Sequence, residues 1–333
     1  MKAEDRNGRV WSIAAVLGAL MACWVAVASA QPTGFDAAQW LRRVQQAASA
    51  HSYRGTMVFS GGGVVSSSRV GHLIDGRQRY ERIEMLGGPT RQQFRHNDTV
   101  LTLWPRTRLA VFEPMDPVTD FPALPTGGSR LLGNYDLRWT GEDRIAGLVA
   151  DVVMVKPRDA LRFAQRLWAE RESGLLMRAD VLGPRGDILE TSAFTDIVLG
   201  ERLPVDSVVG PMKRLEGYRV MRPQVQRVPF DAEGWTLQPA VSGFQLVSCA
   251  RRMLDDMSGA GDGRQVLQAV FSDGLTHVSV FIEPYDGQRH RPIRTSQGAT
   301  HTSMGRHGEW WVTIVGDVPM STVQMFDAAL QRR

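Results

Sequence analysis

Cysteine is nearly absent, because the 333-residue chain contains only Cys23 and Cys249. Cys23 lies in an N-terminal leader that we predict to be removed, so Cys249 would remain alone. A single cysteine excludes an intramolecular disulfide and a cysteine-ligated metal site. Cys249 closely follows Phe244, Leu246 and Val247. This apolar setting predicts a buried side chain that behaves as a small hydrophobic residue.

Lysine is also scarce, since Lys156 and Lys213 are the only lysines after residue 30. Of 39 Lys and Arg residues three lie in residues 1–30, and of 35 Asp and Glu residues two do, which leaves 36 minus 33, or a net charge of +3. No dense basic tract is present, and this argues against a nucleic-acid partner. The abundant arginine suits carboxylate and phosphate partners. The codon bias of a GC-rich genome is the preferred explanation of this abundance.

Motifs for catalysis and cofactor binding are missing. There is no Gly-x-Ser-x-Gly, no His-Glu-x-x-His, and the glycine-rich run 258–263 lacks the Lys and Ser/Thr of a phosphate loop. His290, His301 and His307 are separated by 11 and 6 positions, which matches no helical or hairpin metal site. We predict a protein that is not an enzyme and holds no metal or cofactor. A hydrolase with an unrecognised site is the minor alternative.

The N-terminus has the pattern of a secretory signal. Basic residues at Arg6 and Arg9 precede an apolar run that ends in Ala28-Ser29-Ala30. This pattern predicts export and cleavage after Ala30. An uncleaved anchor is a lesser alternative, and so is lipidation at Cys23.

The rest of the chain predicts an α+β fold. Residues 34–50 have the apolar spacing of a helix, with Asp36 in the first turn. Short alternating segments and turn residues then predict one large antiparallel sheet, curved around this helix. A stretch rich in Pro and Gly, 114–128, interrupts the series. The predicted strands of this first part are 53–60, 69–75, 78–86, 91–97, 99–104, 108–113, 135–145, 148–156, 162–170, 175–182 and 187–199.

The apolar pattern lapses over residues 203–230, where four prolines predict a linker between a first domain, 31–202, and a second, 231–333. The second domain is predicted to be a smaller antiparallel sheet with strands near 245–252, 265–271, 277–283, 299–304 and 309–315. A terminal helix is predicted after Pro319, with Ser321 as its cap and Arg332-Arg333 at its C-terminal end.

Bulky apolar side chains are spread along the first sheet. Most of them are expected to pack against helix 34–50. A long sheet with little helix over it would also leave part of its concave side open to an acyl chain or a peptide. The candidate pocket residues are Met57, Phe59, Tyr80, Ile83, Met85, Phe94, Leu101, Leu103, Trp104 and Phe112.

Several segments, in order along the chain, resemble the RseB/MucB family. The Ser-Asp-Gly-Leu segment that runs into Phe-Ile-Glu-Pro is the most specific. The segments are 51–59, 166–168, 173–176, 193–197, 243–246, 272–275, 278–284 and 315–319.

The resemblance implies a periplasmic regulator of an envelope-stress sigma factor. It implies a first domain like the open half-barrels of the lipoprotein carriers LolA and LolB, and a second domain that helps to hold the periplasmic part of a membrane anti-sigma factor. The bound regulator would shield that partner from the site-1 protease. Lipopolysaccharide or mislocalised lipoprotein would release it, and homodimers would be possible. Residues 203–230 and 231–333 are the expected partner-binding region. A lipid carrier of the LolA/LolB type is the alternative, but it has no need of residues 231–333.

Overall fold

The computed structural model describes residues 34–115, 121–124, 128–254 and 264–333. The predicted leader with Cys23, part of the stretch 114–128 and the glycine-rich run 258–263 lie outside the described residues. The elements that form the first sheet and its helices are α1 Ala37–Ala50, β1 Tyr53–Gly61, β2 Val64–Asp75, β3 Gln78–Met85, β4 Gln92–His96, β5 Thr99–Trp104, β6 Leu109–Pro114, α2 Gly128–Asn134, β7 Tyr135–Ile145, β8 Leu148–Pro157, β9 Ala164–Glu170, β10 Leu176–Leu182, β11 Ile188–Leu199, α3 Asp206–Lys213 and β12 Arg219–Met221.

The first sheet has twelve strands in the order β12-β6-β5-β4-β3-β2-β1-β11-β10-β9-β8-β7. Every pairing is antiparallel except β12 with β6. β1 pairs with β11, which brings the two ends of this part of the chain together at the middle of the sheet. β7 is left at one edge. The prediction of one large antiparallel sheet is therefore confirmed.

Helix α1 packs against this sheet because its apolar residues fall on one stripe. Trp40, Leu41, Val44 and Ala47 are buried, and they join two core clusters whose other members come mostly from the sheet. Asp36 is the N-cap, where its carboxylate accepts hydrogen bonds from the backbone N–H groups of residues 38 and 39, each at 2.9 Å. The helix prediction is confirmed, with Asp36 just before the first turn instead of inside it.

The segment predicted as a linker is built into both sheets. Helix α3 lies over β3, β4 and β5, where Val208 is fully buried and Leu203 and Met212 pack beside it. Strand β12 then joins the first sheet, and Val225–Arg227 pairs with a strand of the second. Residues 203–221 therefore complete the first core and sheet before the chain crosses to the second part.

In its described residues, the second part contains a seven-stranded sheet, a two-stranded sheet and one helix. Its elements are β13 Val225–Arg227, β14 Trp235–Leu237, β15 Gln245–Leu254, β16 Arg264–Ser272, β17 His277–Pro284, β18 Ile293–Gln297, β19 Thr300–His307, β20 Trp310–Gly316, α4 Met320–Ala329 and β21 Leu330–Arg332. The seven strands follow the order β13-β15-β16-β17-β20-β19-β18, and β14 pairs with β21.

Helix α4 closes the core of the second sheet. Val323, Phe326 and Leu330 are buried as predicted, and Cys249 is buried in the same cluster. Two predictions about the helix ends are wrong. The N-cap is Pro319, with no side-chain hydrogen bond, because the helix begins one residue before Ser321. Arg332 belongs to β21, which places its guanidinium over the rings of Trp235 and Trp310 instead of at the helix end.

Within the described ranges, no helix combines the length and the apolar character needed to cross a bilayer.

Candidate functional site

The ten candidate pocket residues do not form one surface. Side chains alternate between the two faces of a strand, so Tyr80 and Ile83, three residues apart on β3, point to opposite sides of the sheet. Five of the ten share the face that α3 covers, where they are packed in the core or against it: Tyr80, Phe94, Leu101, Leu103 and Phe112.

The other five lie on the opposite face. Met57 and Ile83 pack against the cluster that contains Tyr53 and Phe194, beneath α1. Phe59 is exposed, and Met85 and Trp104 are partly buried. The strand register therefore divides the predicted surface between a filled core and scattered positions on the other side.

An open groove lies instead along the edge strand β7. Its volume is about 810 Å³, which is within the usual range for small-molecule sites. Phe35, just before α1, and Leu132 on α2 form parts of its wall, and the strand contributes Leu137 and Trp139. Tyr135 borders the groove from the core, because only 1% of its surface is exposed. These apolar or aromatic side chains form one part of the lining, beside which an acyl chain could lie.

The rim of the groove is polar. Arg158 Nη2 lies 2.9 Å from Asp136 Oδ1, and both residues line the groove together with Arg138 and Thr140. Arg138 and Thr140 are exposed. An apolar wall with cations at its rim suits a ligand that has a hydrocarbon chain and an anionic head.

None of the ten candidates lines this groove. A sequence signal for it does exist, because Tyr135, Leu137 and Trp139 alternate with Asp136 and Arg138, as expected for a strand with one apolar face. The sequence does not show that this strand is at the edge of the sheet, where no further strand covers its side.

The two sheets meet at a buried carboxylate. Asp273, in the turn between β16 and β17, has no solvent exposure, and its Oδ2 accepts from Arg162 Nε at 2.5 Å and from the Tyr135 hydroxyl at 2.7 Å. Its Oδ1 accepts the backbone N–H groups of Leu275 and Thr276 at 2.8 and 2.9 Å. Every acceptor site of this charge is therefore used, as a buried carboxylate requires.

The charge state at this contact follows from burial and pairing. Burial raises the pKa of Tyr135 well above its ordinary value, and the Asp273 carboxylate adds to the effect, so the hydroxyl stays protonated and donates. Burial alone would lower the pKa of Arg162, but its hydrogen bonds with Asp159 and Asp273 outweigh burial and raise the pKa. The guanidinium also donates to the Ser242 carbonyl at 2.6 Å and lies 4.8 Å from the centre of the Phe244 ring. Arg162 thus remains charged and fully partnered.

The same turn packs a partly buried side chain of the second part against the core of the first. Leu275 packs against the cluster that contains Leu131 and Tyr135. Gly274 has φ +99°, and a Cβ atom there would lie 3.1 Å from the backbone nitrogen of Leu131. Glycine is required at this position because the backbone is left-handed and the approach to α2 is close.

A second contact between the sheets is made by Glu190 on β11. Its Oε1 accepts the backbone N–H of Ala299 at 2.9 Å. Burial raises the pKa of this carboxyl above its ordinary value, and the nearby Asp317 adds to the effect.

The second part also has a charged cleft of about 480 Å³ at the ends of β16 and β17. Arg251 pairs with Glu233 at 2.8 Å and Arg264 pairs with Glu283 at 2.9 Å, over a floor that includes Leu267. Such alternating charges offer paired partners to a polar peptide.

The three histidines considered for a metal site make separate contacts. His290 stacks on Trp311 with the ring centres 4.6 Å apart. His301 lies beside Phe163, and His307 contacts Asp327 at 2.8 Å. In the parts of the chain that the structure covers, no group of three or more His, Cys, Asp or Glu residues could hold a metal ion.

Comparisons with known proteins agree over most of the chain. Residues 36–212 match the model of the MucB/RseB N-terminal domain, and residues 229–331 match that of the MucB/RseB C-terminal domain. The sigma factor AlgU regulatory protein MucB of Pseudomonas aeruginosa is 29% identical over 333 aligned residues, which cover 95% of each chain. The sigma-E factor regulatory protein RseB of Escherichia coli K12 is 27% identical over 266 residues, covering 78% of this chain and 79% of the relative.

Two solved structures extend the comparison to the fold. A crystal structure of MucB in complex with MucA(peri) superposes with a TM-score of 0.66 and 25% identity, and the complex structure of Pseudomonas aeruginosa MucA/MucB with 0.68 and 26%. Each match covers 90% of this chain and 99% of the other. The predicted fold class is confirmed, with an open antiparallel sheet and few helices followed by a smaller sheet domain that ends in a helix.

Proposed function

The chain belongs to the MucB/RseB family, and on that premise we propose that it is a non-enzymatic regulator that binds the periplasmic segment of a membrane anti-sigma factor. Bound in this way, it restrains an envelope-stress sigma factor and shields its partner from site-1 proteolysis. The observation that carries the proposal is the match of both family domains, in order, to a chain whose fold resembles MucB solved with MucA(peri).

The proposed location is the periplasm. The pattern of residues 1–30, with a basic start and the Ala28-Ser29-Ala30 exit, supports export and cleavage. A periplasmic protein has direct access to the segment of an inner-membrane partner that lies on the same side of the membrane.

We propose that residues 203–230 and the C-terminal domain provide most of the partner-binding surface. The charged cleft at Arg251, Arg264, Glu233 and Glu283 supports this placement, because a polar extended peptide can exchange its own charges for the pairs already present. The resemblance also makes a homodimer possible, and sedimentation of the purified chain tests it.

The lipid half of the proposal rests on the groove at β7. Burial of roughly 12 methylenes at about 0.8 kcal/mol each stabilises a bound acyl chain by near 10 kcal/mol, and association costs on the order of 4–15 kcal/mol. Binding of an acyl chain is therefore feasible. Lipopolysaccharide and mislocalised lipoprotein both combine acyl chains with polar heads, as the apolar wall and the Arg158 rim require.

The proposal is tested by titrating the purified chain with the periplasmic segment of a MucA-type anti-sigma factor, with and without lipopolysaccharide. We expect tight binding that lipopolysaccharide weakens. Absence of binding to the segment would refute the regulator and favour a LolA/LolB-type carrier, which binds lipid alone.

A matched pair of tryptophan variants locates the lipid. Trp139→Ala removes an aromatic wall of the groove, whereas Trp104→Ala removes a similarly half-buried tryptophan elsewhere on the same sheet. We expect only Trp139→Ala to weaken lipopolysaccharide binding clearly. The opposite result would place the lipid on the sheet surface predicted from the sequence.

A further inference from the structure

One short stretch of the chain takes part in both the groove and the contact between domains. Leu132, Tyr135 and Asp136 line the groove. Within the same stretch, residues 132–136, Asn134 donates through Nδ2 to the Asp273 carbonyl at 3.0 Å, and the Tyr135 hydroxyl donates to the Asp273 carboxylate at 2.7 Å. The start of β7 therefore cannot move away from the groove without disturbing Asp273.

Water cannot easily replace a lost bond at this point. The side chains of Asp273 and Arg162 both have 0% exposure, and Tyr135 is 1% exposed. Loss of the tyrosine hydroxyl bond would leave a buried carboxylate with a missing partner, and that is more costly than the loss of a solvated hydrogen bond. The contact between the domains is thus sensitive to small displacements of one ring.

We propose that Tyr135 is a positioning residue that couples occupancy of the groove to the contact between the two domains. A guest seated against the start of β7 displaces the tyrosine ring, breaks its hydrogen bond to Asp273 and favours a looser arrangement of the domains. The inference rests on the proposed function, since it takes the groove as the lipid site.

Coupling of this kind requires a difference in affinity. If the guest binds the looser arrangement better and the anti-sigma segment binds the present one better, each ligand lowers the affinity of the other by the same factor. Tyr135 would then be the point at which the two sites communicate, although it touches only one of the two ligands.

Spin labels on the two domains test the proposed coupling directly. Arg77→Cys in the turn between β2 and β3 and Gln324→Cys on α4 place labels at exposed positions. The native Cys249 stays unlabelled because it is buried, and burial, together with Glu233, raises the pKa of its thiol to about 11. The probe is 11-(dansylamino)undecanoic acid, a single-chain fatty acid. It is used at saturating concentration, so that differences in probe affinity between the parent and the variants do not affect the result.

We expect the probe to shift the distance between the labels in the parent chain and in Tyr53→Phe, but not in Tyr135→Phe. Tyr53 is an equally buried tyrosine of the same sheet, and it packs on His72 and Phe194 within the N-terminal domain. Asp273→Asn, which removes the charge from the other side of the bond, should abolish the shift as well. A merely structural tyrosine would change stability without changing the response to the probe.

The affinity for the MucA-type segment provides the second readout. Saturating probe should weaken binding of the segment at least fivefold in the parent chain and less than twofold in Tyr135→Phe. A full response in Tyr135→Phe would overturn the inference, and so would a parent chain that binds the probe with no change in label distance or that fails to bind it. Failure to bind the segment would refute the proposed regulator, while the label distances would still decide the role of Tyr135.

Discussion

Replacing Asp273 by Asn tests whether the buried charge holds the two domains together. The asparagine keeps the shape of the side chain, and its carbonyl oxygen can still accept the backbone bonds of Leu275 and Thr276. The oxygen between Arg162 and Tyr135 becomes an NH₂ group, which cannot accept from either donor. Arg162 is then a buried cation that has lost its fully buried counter-charge.

Removal of one partner from a buried ion pair typically costs about 3–5 kcal/mol. Arg162 retains Asp159 and the Ser242 carbonyl, so we place the loss of unfolding free energy near the lower end, at about 3 kcal/mol. Urea unfolding followed by tryptophan fluorescence measures it, with the slope of the transition as a check on two-state behaviour.

The control is an ion pair at the surface. Glu309 faces Arg306 at 3.4 Å but is 89% exposed, so Glu309→Gln should change the free energy by no more than about 0.5 kcal/mol. If Asp273→Asn unfolds at the same urea concentration as this control, the argument that burial makes the pair sensitive is wrong.

Three further changes test other parts of the structure. Leu275→Ala should destabilise the chain by about 1 kcal/mol, because a partly buried side chain from the other domain no longer packs against the N-terminal core, and thermal unfolding would show it. Val208→Ala should lower the unfolding free energy by about 1–2 kcal/mol if α3 is part of the core, whereas a flexible linker would give no change. Glu190→Gln should have a higher unfolding free energy, relative to the parent, at pH 7 than at pH 4. The reason is that the raised pKa of Glu190 in the folded state makes the parent less stable as pH rises from the unfolded pKa through the folded pKa. A difference between parent and variant that does not grow with pH would contradict this.

The sequence predicts local elements well where the apolar pattern is regular. Strand β7 was predicted with its observed bounds, and α1 with its stripe of Trp40, Leu41 and Val44. Helix α3 was missed because Gly210 and Pro211 interrupt its pattern and its eight residues are too few to show a period. Its stability comes from packing on the sheet, which no local pattern reports.

The candidate site was harder to predict because it depends on the order of strands. Because side chains alternate along β3, Tyr80 and Ile83 lie on opposite faces of the sheet. The same two-residue period could have assigned the ten candidates to the two faces from the sequence. That β7 is an edge follows only from the pairing of β1 with β11, more than a hundred residues apart. The Ser-Asp-Gly-Leu turn was singled out by resemblance, and its physical reason, the contact with Tyr135 and Arg162, appears only in three dimensions.

The packing of Leu275 against the opposite core has a consequence for protein engineering. A chimera could combine the N-terminal domain of one family member with the C-terminal domain of another. It would have to take both sides of this domain contact from the same protein, so that Tyr135 and Arg162 accompany Asp273. Natural variation should obey the same constraint, so that substitutions on one side are tolerated only when the opposite half changes in step. The two halves of this protein should therefore be exchanged as a single unit.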